Sequence, residues 1–485
     1  MCTHTTGRRA SYNNSIIAIC AAGVLLAGSG CASLDARDEL AVAADASRRV
    51  TGTTNPADVW KRPVQGESPA WDGSEPLEYD DAVAVTLQSN PTLRRTLAVI
   101  RQRRAEWVQV GLPPNPTVMF GVGAAIDGLA GAPAVVQGMQ MLSWLWKNPH
   151  RVDAAEADLK AAVYMAAETC VDLMATTRTQ VAAVIAGQQL VAFDQQYAGI
   201  TEHTVQLVRQ HVDAGELPPL ELDRAQIDHE RALAELVAAE HELLQAKLAL
   251  LQTMGRPDAS TAWSAVGHLP PDWRIPDDEF TLLELASTGR LDVAAAGQRV
   301  LTAAANLGLA DTRRYPEVAA MVTWQQNFGE REAIVPGARI TLPILDNGDP
   351  AIAMNTAKLE AARLNLLTAQ EMAMAEVRID LSKLRNARAQ VSILRNRQLA
   401  AAGRAFTRSE AAWKAGEVNL NTLLDAQRRL IQVEHDLVRQ SFKVMQAMCS
   451  LRKSVGGSFD ANLDRVPDID VRRDPATPVL EESAS

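Results

Sequence analysis

Most of the chain repeats its apolar residues at helical spacing. Two series stand seven residues apart: Leu236, Leu243 and Leu250 in one, and Leu423, Leu430, Leu437 and Val444 in the other. Proline is absent between Pro149 and Pro218 and between Pro350 and Pro467. Because an interior proline breaks a helix and a seven-residue spacing favours coiled-coil contact, these stretches predict unusually long, packed helices. A shorter helix is expected over residues 80–110, ended by two prolines.

Two segments have a period of two instead, the pattern of strands with one apolar face. In the first, Val118, Phe120, Val122, Ala124 and Ile126 share a face, Asp127-Gly128 opens a turn, and a second run covers residues 134–146. In the other, the apolar face holds Val318, Ala320, Val322, Trp324 and Phe328, followed by Ala338, Ile340 and Leu342. Each segment predicts a β-hairpin, at about 117–146 and about 317–344.

Residues 212–226 and 413–427 are two copies of one pattern. Both contain Ala-Gly-Glu where one helical stretch stops and another begins, followed at the same distance by Ala-Gln. Pro116 and Pro316 precede the two strand segments at nearly the same offset. A repeat of about two hundred residues is far longer than a solenoid unit of about 20–50 residues. Two equivalent halves are therefore expected, each with a long helical hairpin that reverses at Gly215 or Gly416, where glycine permits a positive φ.

The remaining segments differ in composition. Residues 257–278 are rich in Pro and Trp, and residues 32–77 contain several prolines and little periodicity. The expected organisation is a signal peptide over 1–31, an extended strap over 32–77, a first repeat over 78–256, a connector over 257–278, a second repeat over 279–456 and a disordered tail over 457–485.

The N-terminus has the features of a secretion signal. Arg8 and Arg9 precede an apolar stretch over residues 16–27, and small residues follow up to Cys31. Cys31 is a candidate lipid-attachment site of a bacterial lipoprotein, although Gly28 stands where the usual lipobox has Leu. Ordinary cleavage nearby is the alternative.

Composition narrows the function further. The net charge of −10 argues against a nucleic-acid partner, because a protein that binds nucleic acid requires a basic patch.

Cys170 and Cys449 lie on predicted helices in different halves. We expect them to be buried free thiols, although an oxidising compartment permits a disulfide.

Motifs for catalysis and metal binding are incomplete. His229-Glu230 begins like a zinc-protease motif, but Leu233 stands where the second His is required. His203 and His211 are too far apart on one helix to share a metal. The methionine pairs at spacing two, Met139 with Met141 and Met372 with Met374, lie on different elements and are expected to pack in a core or line a bore. Neither an enzyme nor a cofactor or metal site is expected.

The order of these motifs resembles the TolC family of outer-membrane efflux proteins over about residues 80–456. The tip sequence at 416–427 is similar to the family's Gly followed by Leu-Leu-x-Ala-Gln, and residues 342–348 resemble its strand-to-helix turn of proline, aromatic, aspartate and glycine. The corresponding turn of the first half, Lys147-Asn148-Pro149, departs from that pattern.

The resemblance implies a mainly α fold with β-barrel strands: duplicated long α-helical hairpins plus four transmembrane strands per subunit. It implies a homotrimer with one shared barrel in the outer membrane and a periplasmic helical tunnel. It also implies a periplasmic adaptor and an inner-membrane pump as partners. A barrel shared between subunits also follows from the membrane environment, because four strands cannot close a barrel alone and open sheet edges are not tolerated in lipid.

The resemblance places a constriction and the adaptor-docking surface at the tips, near Gly215 and Gly416. The acidic residues nearby are Asp425, Glu417, Glu221 and Asp223. On a three-fold axis such carboxylates form rings that favour cations. The alternative is solvated helix ends, since carboxylates are common in a first helical turn. Asp425 precedes Ala426-Gln427, whereas Arg224 stands there in the first copy.

The expected function is a passive outer-membrane channel subunit of a tripartite efflux or type I secretion system. The alternative is a lipid-anchored periplasmic coiled-coil scaffold or an adaptor. Period-two segments at equivalent places in both halves favour the channel, because a scaffold does not need them.

Overall fold

The computed structural model of the protein describes residues 34–51, 71, 73, 75–123, 133–269, 275–276, 278–327 and 331–457. The expected signal peptide with Cys31, half of the strap and the tail beyond residue 457 lie outside these residues. So do Ala124, Ile126, Asp127, Gly128 and Phe328 of the predicted hairpins. All helices and strands of the described residues belong to the compact unit that begins at Ala36.

The described elements fall into two halves. The first holds α1 (Arg37–Thr51), α2 (Tyr79–Ser89), α3 (Pro91–Gly111), β1 (Thr117–Val122), β2 (Ala134–Met141), α4 (Trp144–Asp213) and α5 (Pro219–Thr253). The second holds α6 (Glu279–Gly289), α7 (Leu291–Asp311), β3 (Glu317–Gln326), β4 (Glu332–Thr341), α8 (Asp349–Ile393), α9 (Ala400–Lys414) and α10 (Leu420–Ser454). From α2 and α6 onward the order of elements is the same, with α8 and α9 together in the place of α4, which confirms the duplicated helical hairpins.

The longest helix, α4, organises the bundle. It has 70 residues, so it is about 105 Å long at the α-helical rise. It packs against α3, α5, α7 and α10. The seven-residue leucine series supplies part of this contact: a Cβ built on Gly187 of α4 would lie 3.2 Å from Cδ1 of Leu243 on α5. In the second half, a π-helical segment, Leu394–Leu399, joins α8 to α9. Among the described helices, none is long and apolar enough to cross a membrane.

Two predictions near the N-terminus need correction. The single helix expected over residues 80–110 is broken at Asn90, which is extended because the following proline disfavours helical backbone there. The strap expected over 32–77 is not extended throughout, since α1 lies within it. Leu40, Ala43 and Ala44 of α1 are buried, and Glu39 forms a buried ion pair with Arg104 of α3 at 2.7 Å.

The first hairpin also ends earlier than predicted. The second strand run was expected over 134–146, but β2 ends at Met141 and α4 begins at Trp144. The N–H groups of Leu142 and Ser143 both donate to the carbonyl oxygen of Val318, at 2.8 Å and 3.1 Å. Pro149 therefore lies inside α4 rather than in a strand-to-helix turn. Pro149 has no N–H to donate to the preceding turn, yet α4 continues through it to Asp213.

The four strands form one antiparallel sheet in the order β1-β2-β3-β4. Because directly opposite residues share a face, the register separates two surfaces. We call one the apolar face; its members are Val118, Phe120, Val122, Val136, Val322, Trp324, Ile334 and Ile340. We call the other the polar face; it carries Thr117, Gln137, Thr323 and Gln325 together with several methionines. Within the described residues β1 and β4 each pair on one side only, so both sheet edges are open.

Candidate functional site

Both helical hairpins reverse through the same backbone geometry. In the first, Gly215 has φ +75° and the N–H of Glu216 donates to the carbonyl of His211 at 2.9 Å. In the second, Gly416 has φ +73° and the N–H of Glu417 donates to the carbonyl of Ala412 at 2.8 Å. A Cβ on either glycine would meet no atom within 4 Å. Glycine is therefore needed for its backbone conformation and not for space.

The helices that leave the two tips begin differently. Asn419 caps α10, because its side chain accepts a hydrogen bond from the N–H of Thr422 at 3.0 Å. Pro218 stands at the corresponding place before α5 and has no side-chain cap. The duplicated tips are thus alike in their turns and different in the helix starts that follow.

The two tips pack against each other. One apolar cluster, the tip cluster, joins both hairpins and contains Val205, Val208, Ala225, Leu420 and Leu424, with Val212, Leu217, Leu222 and Trp413 beside them. The rings of His211 and Trp413 meet edge to face, with centroids 6.4 Å apart. The tips therefore form one surface, at the end of α4 farthest from the sheet.

An arginine next to the tip cluster, Arg428, bridges α10 and α5. Arg428 of α10 is 3.1 Å from Oδ1 of Asp425 on its own helix and forms a second ion pair with Asp228 of α5. Burial lowers the pKa of Arg428, but the hydrogen bond to Asp228 and the charges of Asp228, Tyr197 and Asp425 together outweigh it, so the arginine pKa is raised. Burial raises the pKa of the adjacent Tyr197, where Arg428 acts in the opposite direction. Arg428 thus connects the exposed Asp425 to the interface between the two halves.

The predicted acidic residues have different surroundings. The Asp425 side chain is 59% exposed, whereas that of Glu221 is 17% exposed and pairs with Arg224 at 2.8 Å. Glu417 and Asp223 are exposed. The structure therefore gathers Asp425, Arg428 and Asp228 into one group and leaves Glu417 and Asp223 apart from it. The spacing of Asp425 and Arg428 is visible in the sequence as an i,i+3 pair, but no sequence signal links either to Asp228.

The histidines singled out in the sequence are dispersed. Nδ1 of His229 lies 3.1 Å from the Thr201 hydroxyl, and Nδ1 of His211 lies 2.5 Å from a Glu216 carboxylate oxygen, while His203 is exposed. Among the residues that the structure describes, no group of three or more His, Cys, Asp or Glu could hold a metal ion.

Cys170 and Cys449 are buried free thiols, which confirms the expectation for these two residues.

Two long helical hairpins with adjoining tips, together with a four-stranded sheet that has one apolar face, define a subunit of a channel with a helical tunnel. The chain belongs to the outer membrane efflux protein family, whose model matches residues 83–256 and 282–457. It is an outer-membrane efflux channel subunit, a passive conduit and not an enzyme.

Known relatives agree with this assignment. The cobalt-zinc-cadmium resistance protein CzcC of Cupriavidus metallidurans is 24% identical over 311 residues, covering 64% of this chain and 74% of CzcC. The pyoverdine export outer membrane protein OpmQ of Pseudomonas aeruginosa is 24% identical, over 83% of this chain and 91% of OpmQ.

Solved structures share the fold. The outer-membrane channel OprN has a TM-score of 0.68 at 19% identity and covers 81% of this chain and 95% of its own. The outer membrane protein VceC of Vibrio cholerae has a TM-score of 0.67 at 18% identity, covering 79% of this chain and 97% of its own.

Proposed function

We propose that three copies of this chain close one β-barrel in the outer membrane and join their helices into a periplasmic tunnel. The single observation that carries this proposal is the open sheet: β1 and β4 each pair on one side only in the described residues. In lipid every backbone polar group needs a partner, so an open four-stranded sheet requires another chain at both edges. A second and third copy supply those edges, with β4 of one chain beside β1 of the next.

Exposed apolar side chains on the helices support the same assembly. α5 exposes Ile227, Val237 and Leu244, and α8 exposes Leu364 and Leu367. Large apolar residues that repeat along helices of such length are covered in a stable protein. Neighbouring copies in a helical tunnel would cover them. A lipid-anchored scaffold, the alternative function, gives the sheet no role.

The tunnel needs partners at its far end. The tip cluster and the turns at Gly215 and Gly416 form the surface on which we place a periplasmic adaptor, and through it an inner-membrane pump. The resulting assembly is a tripartite efflux system with this chain as its outer-membrane component. The names of CzcC and OpmQ refer to different substrates, metal ions for CzcC and pyoverdine for OpmQ. Sequence similarity to them therefore does not identify the substrate of this chain.

Asp425 is our candidate for the narrowest part of the entrance. It is exposed next to the tip cluster, and three copies around an axis would form a ring of carboxylates that attracts cations. Arg428 holds it at 3.1 Å. Glu417, Glu221 and Asp223 are secondary candidates, because they lie beside the same turns but outside the group of Asp425, Arg428 and Asp228.

The test combines assembly and conductance. The purified protein in detergent should have the mass of a trimer and should conduct ions in planar bilayers. Asp425→Asn should lower the preference for cations and change the single-channel conductance. Glu410→Gln is the matched control, because Glu410 is also an exposed carboxylate that pairs with a base on its own helix, Lys414, at 2.8 Å. A monomer without conductance would overturn the proposal, and equal conductance and selectivity in both variants would remove Asp425 from the entrance.

We place a lipid on Cys31 as a second membrane attachment. The support is the apolar stretch and the small residues that precede it in the sequence. The intact mass of the mature protein tests this directly: a lipidated N-terminal cysteine adds acyl groups, and Cys31→Ser abolishes them. An unmodified mature N-terminus elsewhere would show ordinary cleavage.

A further inference from the structure

Four methionines share the polar face of the sheet. Met139 of β2 stands directly opposite Met321 of β3. Met119 of β1 pairs with Gln137, two positions from Met139, and Met141 pairs with Ala319, two positions from Met321. Sequence spacing alone relates only Met139 to Met141, whereas the register adds Met119 and Met321 to the same surface. We call these four residues the methionine cluster.

The central pair is close because of the hydrogen-bonding pattern. The N–H of Leu142 donates to the carbonyl of Val318 at 2.8 Å, so these two residues are a hydrogen-bonded pair. The pattern alternates along an antiparallel ladder, which makes Met139 and Met321 a non-hydrogen-bonded pair with the closer side-chain approach. Their Cβ atoms are then about 4.5–5.5 Å apart, and diagonal neighbours are about 7–8 Å apart. A methionine side chain is long and flexible enough to bring sulfurs together over these distances.

The sulfur of Met321 lies across the polar face. Nε2 of Gln137 is 3.7 Å from this sulfur. On the other side, a Cβ built on Gly337 would be 3.7 Å from the same sulfur and 3.3 Å from Cγ of Met321. Gly337 on β4 thus leaves room for the thioether to extend over the sheet. Met321 as a whole residue is half-buried, and its sulfur lies beside the polar side chain of Gln137.

The two faces of the sheet have opposite environments in a closed barrel. Phe120, Trp324 and Ile334 on the apolar face suit contact with lipid, so the methionine cluster and its polar neighbours line the bore. This step rests on the proposed function, because only a closed barrel has a bore. Three copies of the chain then place the cluster around the conducting path at one level.

Thioethers are selective ligands. They are soft and neutral, so they bind Cu(I) and Ag(I) in preference to hard cations that require oxygen ligands. They also carry no proton to lose, unlike Cys or protonated His, so binding does not depend on pH near neutrality. We propose that Met139 and Met321, with Met119 and Met141 beside them, form a bore-side binding site for soft monovalent cations of the Cu(I) and Ag(I) class.

The test uses Ag(I), which remains monovalent in air. The full-length protein is prepared in detergent with its methionine methyl groups labelled with carbon-13 and titrated with silver nitrate in chloride-free buffer. The methyl resonances of Met139 and Met321 should shift at lower Ag(I) concentration than those of Met372 and Met374, which are exposed on α8. Because each methyl group reports separately, Ag(I) bound to thiols does not obscure the result.

Two double variants provide the matched comparison. Met139→Leu with Met321→Leu and Met372→Leu with Met374→Leu each remove two thioethers at nearly constant volume. The first should weaken Ag(I) binding at the sheet at least tenfold, followed through the methyl groups of Met119 and Met141, and the second should leave it unchanged. Equal effects of both variants, or unshifted Met139 and Met321 resonances, would overturn the site. A trimer that conducts potassium and yet shows unshifted resonances would refute the cation site and leave the channel function intact.

Discussion

Arg428 and Asp228 form an ion pair between helices whose residues stand 200 positions apart in the chain. The pair joins the second helical hairpin to the first directly behind the tips. The Asp228 side chain is only 12% exposed, so it depends on this arginine for compensation of its charge. Asp425 occupies the solvent side of the same arginine at 3.1 Å. The tips are therefore coupled by charge as well as by apolar packing.

Arg428→Met should loosen this connection. The methionine keeps much of the apolar stem but leaves Asp228 with an uncompensated charge, so the helices of the two halves should separate at the entrance. We expect higher single-channel conductance in planar bilayers. Arg429→Met, a change at the exposed neighbouring residue, is the control and should conduct like the wild type. In an Asp228→Asn background, Arg428→Met should have little further effect, and additive changes would show that the two residues act separately.

Replacing the tip glycines should destabilise the turns. Gly215→Ala or Gly416→Ala should cost about 1–2 kcal/mol, because an L-residue is strained at positive φ although space is available. Gly403→Ala is the opposite control, since Gly403 lies within α9 with open space beside it and should gain about 1 kcal/mol from helix propensity. Thermal unfolding in detergent measures both. A stabilising change at either tip would contradict this account.

Glu168 should make stability depend on pH. Burial, with the nearby carboxylates of Asp172 and Asp292, raises its pKa to about 7. An unfolded glutamate has a pKa of about 4.3. The folded chain therefore holds a proton that the unfolded chain releases, and this contribution to stability is lost as pH rises from about 4 to about 7.

Glu168→Gln tests that dependence because Gln imitates the protonated form. The variant should be more stable than the wild type at pH 8, by at most about 3.5 kcal/mol per subunit, and nearly equal to it at pH 4.5. Melting temperatures at the two pH values provide the measurement. Glu202→Gln changes an exposed carboxylate on the same helix and should alter neither value. A difference between Glu168→Gln and the wild type that is the same at both pH values would exclude a raised pKa as its cause.

Asn90→Ala should be more damaging than the loss of an ordinary cap. The Asn90 side chain accepts hydrogen bonds from the N–H groups of Thr92 and Leu93 and donates to the carbonyl of Thr253 at 2.7 Å. Loss of the cap costs about 1 kcal/mol, and the unpaired carbonyl adds about 1–2 kcal/mol. Asn419→Ala removes an exposed cap on α10 and should cost about 1 kcal/mol. Equal shifts in melting temperature would show that the Thr253 contact is without effect.

Several features of the fold could be predicted because their causes are local. Gly215 and Gly416 were recognisable as reversals since a positive φ strongly favours glycine. The strands were recognisable from alternation, as in Val118 and Phe120. Prediction failed where tertiary contact outweighs the local signal. Trp144 and Trp146 continue an apolar run, yet the hydrogen bonds of Leu142 and Ser143 to Val318 end the strand before them.

The site was predictable to a lesser degree. Asp425 could be singled out from its place before Ala426-Gln427, and its pairing with Arg428 follows from helical spacing. Asp228 could not be found, because its partner comes from a helix of the other half. The ion pair of Glu39 with Arg104 could not be predicted either, because Glu39 lies in a segment expected to be an extended strap and its partner lies on another helix.

The sequence by itself determined the duplication, the long helices, the two hairpins and the tips, because each depends on periodicity or on a backbone angle within a few neighbouring residues. Only the tertiary structure decided which residues of the two halves meet. The register of β2 against β3 places Met139 opposite Met321, and helix packing places Arg428 on Asp228. A shift of one residue in the strands would move every side chain to the other face, and that choice is made by contacts between distant parts of the chain.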